Sequence, residues 1–257
     1  MYRPSYHNTY NRYGSRYNRY SHTRTRAPTE WFILLLLQQI QQLEHKPPVT
    51  IAVVAFNILV HLNLASGILP FDVPSIRQAC LKPSAILYRG EFSRLFWGIV
   101  THADDYHLYY NMGSLLVKGA QLEPLYGSFG FAVLLGELML TSNILYLVLS
   151  ALLPTNMLLV QLIAGKNLMN TCAVGFSGVL FGLKVILTYD SPGWGTVAGF
   201  SVPVKYLAWA ELVWIQFITP NASLLGHACG ILAGLLHTYF FKSLLYQSGM
   251  QRRRHRY

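Results

Sequence analysis

Charge is scarce in this 257-residue chain: Asp, Glu, Lys and Arg make up 12% of it, against a hydrophobic share of 53% and a mean hydropathy of +0.32. A water-soluble surface carries roughly twice that charge, so an ordinary soluble domain is excluded. The charges present crowd into the first 30 residues, the loops and the last seven residues. Between them run nearly uncharged stretches of about 16 to 25 residues, long enough to cross a hydrocarbon core of ~30 Å. The composition is that of a polytopic membrane protein. Acidic residues are fewer still, ten against twenty Lys and Arg, and none precedes Glu30. The resulting charge of +10 and the Tyr/Arg-interleaved first 26 residues have the look of a single-strand nucleic-acid binder. A basic cytoplasmic flank resting on anionic headgroups explains the same residues, so the partner expected is the lipid bilayer and no nucleic acid. An acid-free start also leaves a mitochondrial presequence open, although the stretch is rich in Tyr and poor in Ala and Leu. No apolar core with a small-residue cleavage site follows it, as a removed signal peptide would require.

Cysteine is equally sparse. Cys80, Cys172 and Cys229 are too few for a disulfide scaffold and are not spaced as metal ligands. Cys229 falls in an apolar helix, where a thiol packs as a small apolar group. Cys80 and Cys172 fall in two loops on one side of the expected topology, and a bridge between them stays open if that side is oxidising. Readable strands are missing as well, and position 179 is Val, which excludes the G-x-S-x-G elbow of an α/β-hydrolase. The absence of internal repeats and broken helices argues against a transporter.

The apolar runs divide the chain into a disordered basic tail (1–30), an interfacial helix and linker (31–48), a six-helix membrane domain (49–245) and a second basic tail (246–257). Trp31 to Leu43 is short and turns Gln-rich, which suits the interface. Spans are expected at Val49 to Ile68, about Tyr106 to Leu125, Ser128 to Leu153, Phe176 to Asp190, Val204 to Ile218 and Leu224 to Leu245. The aromatic loop from Leu69 to Phe96 is long enough to be ordered or functional. Asn57 and His61 in the first span read as structural polar groups. Six spans put both basic termini on one side, which the positive-inside rule makes cytoplasmic.

Under that topology the second, fourth and sixth spans all begin at the outer face. Asn111, Ser177 and His227 each lie within roughly 10 Å of that face at 1.5 Å per residue. A serine hydroxyl needs a base within hydrogen-bond reach, and a neutral imidazole serves. Ser177 is therefore the candidate nucleophile and His227 the candidate base. His107 and Asn111, at i and i+4 on one helical face, are candidate donors to an oxyanion, with the Ser177 backbone amide beside them. Gly175 and Gly178 flank the serine, Gly230 and Gly234 would let the sixth helix approach the fourth, and Phe181 would pack on the imidazole. Alone, a serine among small residues reads as helix packing; Ser, His, His and Asn at one depth do not. His102 and His107, about 140° apart on a helix, make a poor chelate, so neither metal nor cofactor is expected. Asp104 and Asp105 sit at the interface and read as solvated rather than as a third triad member. Lys184, Glu137 and Glu211 fall near mid-membrane, where Lys184 and Glu211 are expected to pair.

GFSG at Gly175 to Gly178, GHACGILAG at Gly226 to Gly234 and HADDYHLYYN at His102 to Asn111 together resemble the rhomboid intramembrane serine proteases, over about Val49 to Leu245. The spelling is similar to the rhomboid-domain-containing subgroup of the endoplasmic reticulum. The resemblance implies an all-α, six-transmembrane-helix bundle that cuts transmembrane protein substrates within or beside their spans. It implies Ser177 as nucleophile, His227 as base, His107, Asn111 and the Ser177 amide as oxyanion site, Phe181 on the base, and structural roles for Arg94 and Glu123. The aromatic-Arg dipeptide of that family's first loop is here Phe92-Ser93-Arg94, a departure at the loop's anchor. Ubiquitin- and ATPase-binding elements of the subgroup are not expected in a chain that stops at Tyr257. The compartment implied is the endoplasmic reticulum membrane, with the mitochondrial inner membrane as alternative. A catalytically inactive client-binding relative is the competing expectation.

Overall fold

The computed structural model describes residues 29–64, 72–153 and 167–241. It is mostly helical: α1 (Thr29–Gln42), α2 (Pro48–His61), three short helices α3 (Ile76–Ala79), α4 (Pro83–Arg89) and α5 (Arg94–Val100), then α6 (Asp105–Leu152), α7 (Ser177–Thr188), α8 (Leu207–Ile218) and α9 (Leu224–Leu236). Helices occupy part of each expected span. The tails, residues 65–71 and 154–166, and the last stretch of the sixth span lie outside the described residues.

The 48-residue α6 is two helices in sequence, broken at Gly127, whose φ of 73° and ψ of 156° are not helical. Glycine accepts that backbone without a Cβ clash, and Pro124 just before it withholds a helical donor. The break falls where the second and third spans were expected to meet. Around α6 pack α2, α7 and α9, and their inward side chains, among them Met112, Leu115, Leu116, Phe131, Leu134, Leu138 and Leu183, are fully buried. The outward residues are as apolar: Phe129, Val133, Leu140, Ile144, Val148, Trp214 and Phe217 are exposed. An apolar exterior on an apolar core suits lipid, not water. Among the described residues α6 is the one helix long and apolar enough to cross a membrane; Pro48–His61, Ser177–Thr188 and Leu224–Phe240 are shorter apolar helices.

Glu123 joins three pieces of chain. One carboxylate oxygen accepts from Val49 N at 2.9 Å and Ser128 Oγ at 2.8 Å, the other from Thr50 N and Thr50 Oγ1, both at 2.8 Å. The first two of these backbone groups are unpaired donors of the first turn of α2, where the helix dipole also favours an anion.

Two features add to the expected layout. The stretch 31–48 carries α1, which stands along the first half of α6. Thr29 Oγ1 donates to Asp105 Oδ2 at 2.9 Å, Phe32 packs on Tyr106 and Tyr109, Leu36 is buried, and Gln39 Nε2 reaches Gly113 O at 3.5 Å. The aliphatic side of FILLLL finds a better partner in α6 than in an interface. His61, at the far end of α2, also meets Asp105, at 2.7 Å. The start of α1 thus lies at the Asp105 end, while His237, beyond α9, contacts Tyr126 and Glu137 toward the other end. The described ends of the chain are on opposite ends of the bundle; the two basic tails, expected on one side, lie outside the described residues. Secondly, the SPGWG turn leads into a hairpin of β1 (Trp194–Val197) and β2 (Phe200–Pro203), paired antiparallel with Val197 opposite Phe200. Ala198 and Gly199, both at positive φ, make its two-residue turn. Four-residue strands are too short to show alternation, so the pattern went unread.

Replacing Glu123 with Ala leaves four donors unpaired. We expect a stability loss of about 2–4 kcal/mol, read as a lower Tm in detergent, with Glu123→Gln losing less. An unchanged Tm for Glu123→Ala would contradict this role.

Candidate active site

Ser177 opens α7 at the end of an extended strap. Leu81 N donates to Ala173 O at 2.8 Å and Ala173 N to Leu81 O at 3.2 Å; Gly175 N then donates to Gly98 O at 2.8 Å. Gly175 has a φ of 110°, and a Cβ there would lie 2.5 Å from His107 Cε1, 2.6 Å from His107 Nε2 and 3.6 Å from Asn111 Nδ2. His107 and Asn111 therefore converge on the backbone two residues before the serine. Glycine is required twice, for its dihedral and for the room it leaves. His107 is set by the start of α6, where Asp104 Oδ1 accepts from its backbone N at 2.9 Å. Its Nδ1 accepts from Ala103 N at 3.4 Å, which leaves the proton on Nε2, facing Gly175. Asn111 Nδ2 donates to His107 O at 2.9 Å.

His227 lies in the first turn of α9, which Ser223 caps by accepting from Gly226 N at 3.1 Å. Its Nε2 is 2.8 Å from Ser177 Oγ. The ring of Phe181, one turn on from Ser177, lies 4.8 Å from the imidazole at 37°. His227 and Phe181 are both buried. What brings base and hydroxyl together is contact between helix backbones. A Cβ added at Gly230 would stand 2.0 Å from Gly178 O, and one at Gly234 would stand 2.6 Å from Gly182 O. Only a glycine face permits that approach.

With the hydroxyl donating to Nε2, the imidazole proton sits on Nδ1, which is buried and has no partner among the described residues. Asp104 caps α6 and Asp105 holds Thr29 and His61, so both candidate triad carboxylates are engaged elsewhere. Lys184 and Glu211 form an ion pair, as expected, and Glu137 pairs with His237 Nδ1 at 2.8 Å. Arg94 is buried despite the changed dipeptide: Nε donates to Glu91 Oε2 at 2.6 Å, and Nη1 donates to the carbonyls of Arg77 and Cys80, both at 2.9 Å. The bond to Arg94 holds the Glu91 carboxyl below its usual range. Cys80 and Cys172 form a disulfide, which settles the pairing the sequence left open.

One residue of the site was undervalued. His102, considered only as a metal ligand, is buried; its Nε2 accepts from Phe176 N at 3.5 Å and its ring meets that of His107 edge-on at 5.1 Å. Burial, and then the charge of His107 and His61, pushes its pKa down to about 3. It is a neutral acceptor on the backbone beside the candidate nucleophile Ser177, and the two histidines in HADDYH are the available signal.

The family model described as Rhomboid domain matches residues 89–243, more than half of the chain. The chain belongs to the rhomboid family. Rhomboid-related protein 4 of Mus musculus is 38% identical over 209 residues, covering 80% of this chain and 62% of that protein. Rhomboid-like protein 14, mitochondrial, of Arabidopsis thaliana is 39% identical over 204 residues, 79% of this chain and 59% of its own length. Rhomboid-related protein 4 of Homo sapiens is 36% identical over 80% of this chain. The chain thus spans about three fifths of these rhomboid relatives. No solved structure matches. Rhomboid membership makes the chain membrane-integral, in accord with its apolar exterior.

Two outcomes follow. Gly230→Ala must push α9 off α7; we expect the variant to fold with lowered Tm and to lose the Ser177–His227 contact, seen as loss of serine-probe labelling of at least about tenfold. Wild-type labelling in Gly230→Ala would refute the close approach. For His102 the unfolded pKa is ~6.5 and the folded one is depressed, so its stabilising share is complete above ~6.5 and falls as pH drops toward 3. The loss is at most on the order of 1.4 kcal/mol per pH unit. His102→Asn should flatten the decline of Tm between pH 7 and 4; an unaltered slope would assign the acid sensitivity elsewhere.

Proposed function

We propose that the protein is an intramembrane serine endopeptidase, a six-span bundle whose pocket opens near one membrane face. The observation that carries this reading is the 2.8 Å contact between Ser177 Oγ and His227 Nε2, made inside an apolar bundle beneath Phe181. A half-buried hydroxyl in contact with a buried imidazole is otherwise hard to explain among lipid-facing helices, where polar groups are costly.

In the proposed reaction His227 Nε2 takes the proton of Ser177 as Oγ attacks a peptide carbonyl of the substrate. The developing oxyanion lies toward Gly175, where His107 Nε2–H, Asn111 and the Ser177 amide supply donors. His227 then gives its proton to the leaving amine, the acyl-enzyme forms, and water, deprotonated by the same imidazole, releases the acid and restores the serine. With no carboxylate on Nδ1 among the described residues, the imidazolium is less stabilised than in a triad. A helical substrate hides its carbonyls in hydrogen bonds and must unwind locally, so transmembrane segments containing Gly or Pro are the preferred clients. The reading requires no metal or cofactor. The endoplasmic reticulum membrane is the proposed compartment; the relative named mitochondrial keeps the mitochondrial inner membrane as the alternative.

The competing reading is a client-binding rhomboid without activity. Wild type, Ser177→Ala and His227→Ala, reconstituted with a single-span reporter, separate the two. Cleavage in wild type with loss of more than about a thousandfold in either variant, while the reporter still co-purifies, is the expected result. Equal processing by all three, or none by any, would sink the assignment.

A further inference from the structure

The disulfide has a placement that the reaction above does not use. Cys172 lies five residues before Ser177, and the bridge to Cys80 is followed residue by residue by the bonds that hold the strap: Leu81 with Ala173, Gly98 O with Gly175 N, and His102 with Phe176 N. The strap thus hangs from the 80–102 segment. Its covalent attachment to that segment is Cys80–Cys172, and everything after it is single hydrogen bonds. The two sulfurs also differ. Cys172 is exposed, whereas Cys80 is buried and its Sγ lies 3.7 Å from Arg94 Nη1.

We propose that Cys80–Cys172 is a reducible tie that sets the alignment of the oxyanion donors, so that the protein works in its oxidised form and is slowed by reduction. The inference rests on the protease reading of Ser177 and His227. The reductant is a small dithiol. Its thiolate attacks the exposed Cys172 sulfur, forming a mixed disulfide and expelling Cys80 as a thiolate beside the Arg94 guanidinium. The second thiol of the reductant then attacks its own sulfur in the mixed disulfide and expels the Cys172 thiolate. The reductant leaves as a cyclic disulfide, having lost two electrons and two protons to the two cysteines. Released from Cys80, residues 172–176 are held by hydrogen bonds alone, and their register is no longer fixed. Gly175 shifts against His107 and Asn111. The dyad itself is unaffected, because the contacts of α7 with α9 lie below the strap. Cys80 and Cys172 are positioning residues: they touch no substrate.

The test uses the full-length protein in proteoliposomes, oxidised, reduced with dithiothreitol, and as the Cys80→Ser/Cys172→Ser variant, with Ser177→Ala as baseline. Cleavage of the single-span reporter is measured with thiol titration and thermal unfolding. Reduction is expected to expose two new thiols and lower kcat about tenfold or more with KM within about twofold. The double variant should match the reduced protein and ignore dithiothreitol, and reoxidation should restore wild type but not the variant. Equal kcat in the oxidised and reduced proteins, with both above baseline, overturns the proposal and leaves the protease reading intact. Loss of kcat together with loss of the cooperative unfolding transition also overturns it, since the bridge is then a general staple. If the oxidised protein does not exceed the Ser177→Ala baseline, the protease reading fails and takes this inference with it.

Discussion

The contact of α7 with α9 through bare backbone governs the rest of the molecule. Gly178, Gly182, Gly230 and Gly234 form a face on which a single methyl group would meet a carbonyl oxygen at 2.0 to 3.4 Å. In lipid there is little hydrophobic gain from bringing two helices together, so close packing has to supply the attraction. That closeness sets the reach of side chains: a serine and a histidine in the first turns of two helices meet at 2.8 Å. Larger residues along this seam would hold the helices at ordinary spacing, and the same two side chains would no longer touch.

A second constraint acts from outside the bundle. The 80–102 segment and the strap before Ser177 form one connected unit, tied by a disulfide, a two-residue bridge and Arg94, which is buried among carbonyls. This unit delivers Gly175 to His107 and Asn111. The helices thus fix Ser177 against His227, and the loop unit fixes Gly175 against His107 and Asn111. Glu123 at the opposite end gathers α2 and the second half of α6, so the first half of α6 is held at both ends.

Much of this was readable in the residues. Matched depth of Asn111, Ser177 and His227 follows from helix rise and topology alone, and the motifs spell a rhomboid. The pairing of Lys184 with Glu211 and the break at Gly127 follow from the cost of buried charge and the dihedrals of glycine, whereas a structural part for Glu123 comes only with the resemblance. Other features needed three dimensions. His237 looks like one more polar residue near a helix end until Glu137, 100 residues earlier, closes on it at 2.8 Å. The stance of α1 against α6 depends on which face of a Leu-rich run finds a partner, and a short Leu/Gln helix carries no periodicity to decide it. Spacing along one helix is silent on His102, because the residue sits before α6 begins and bonds to another segment.

Mapping of the site of covalent modification tests the central claim most directly. Protein in proteoliposomes is treated with a fluorophosphonate, digested, and the adduct located by mass spectrometry. The account predicts one phosphonylated peptide, with the adduct on Ser177, and none in His227→Ala. An adduct on another residue, or Ser177 modified equally without the imidazole, would contradict it.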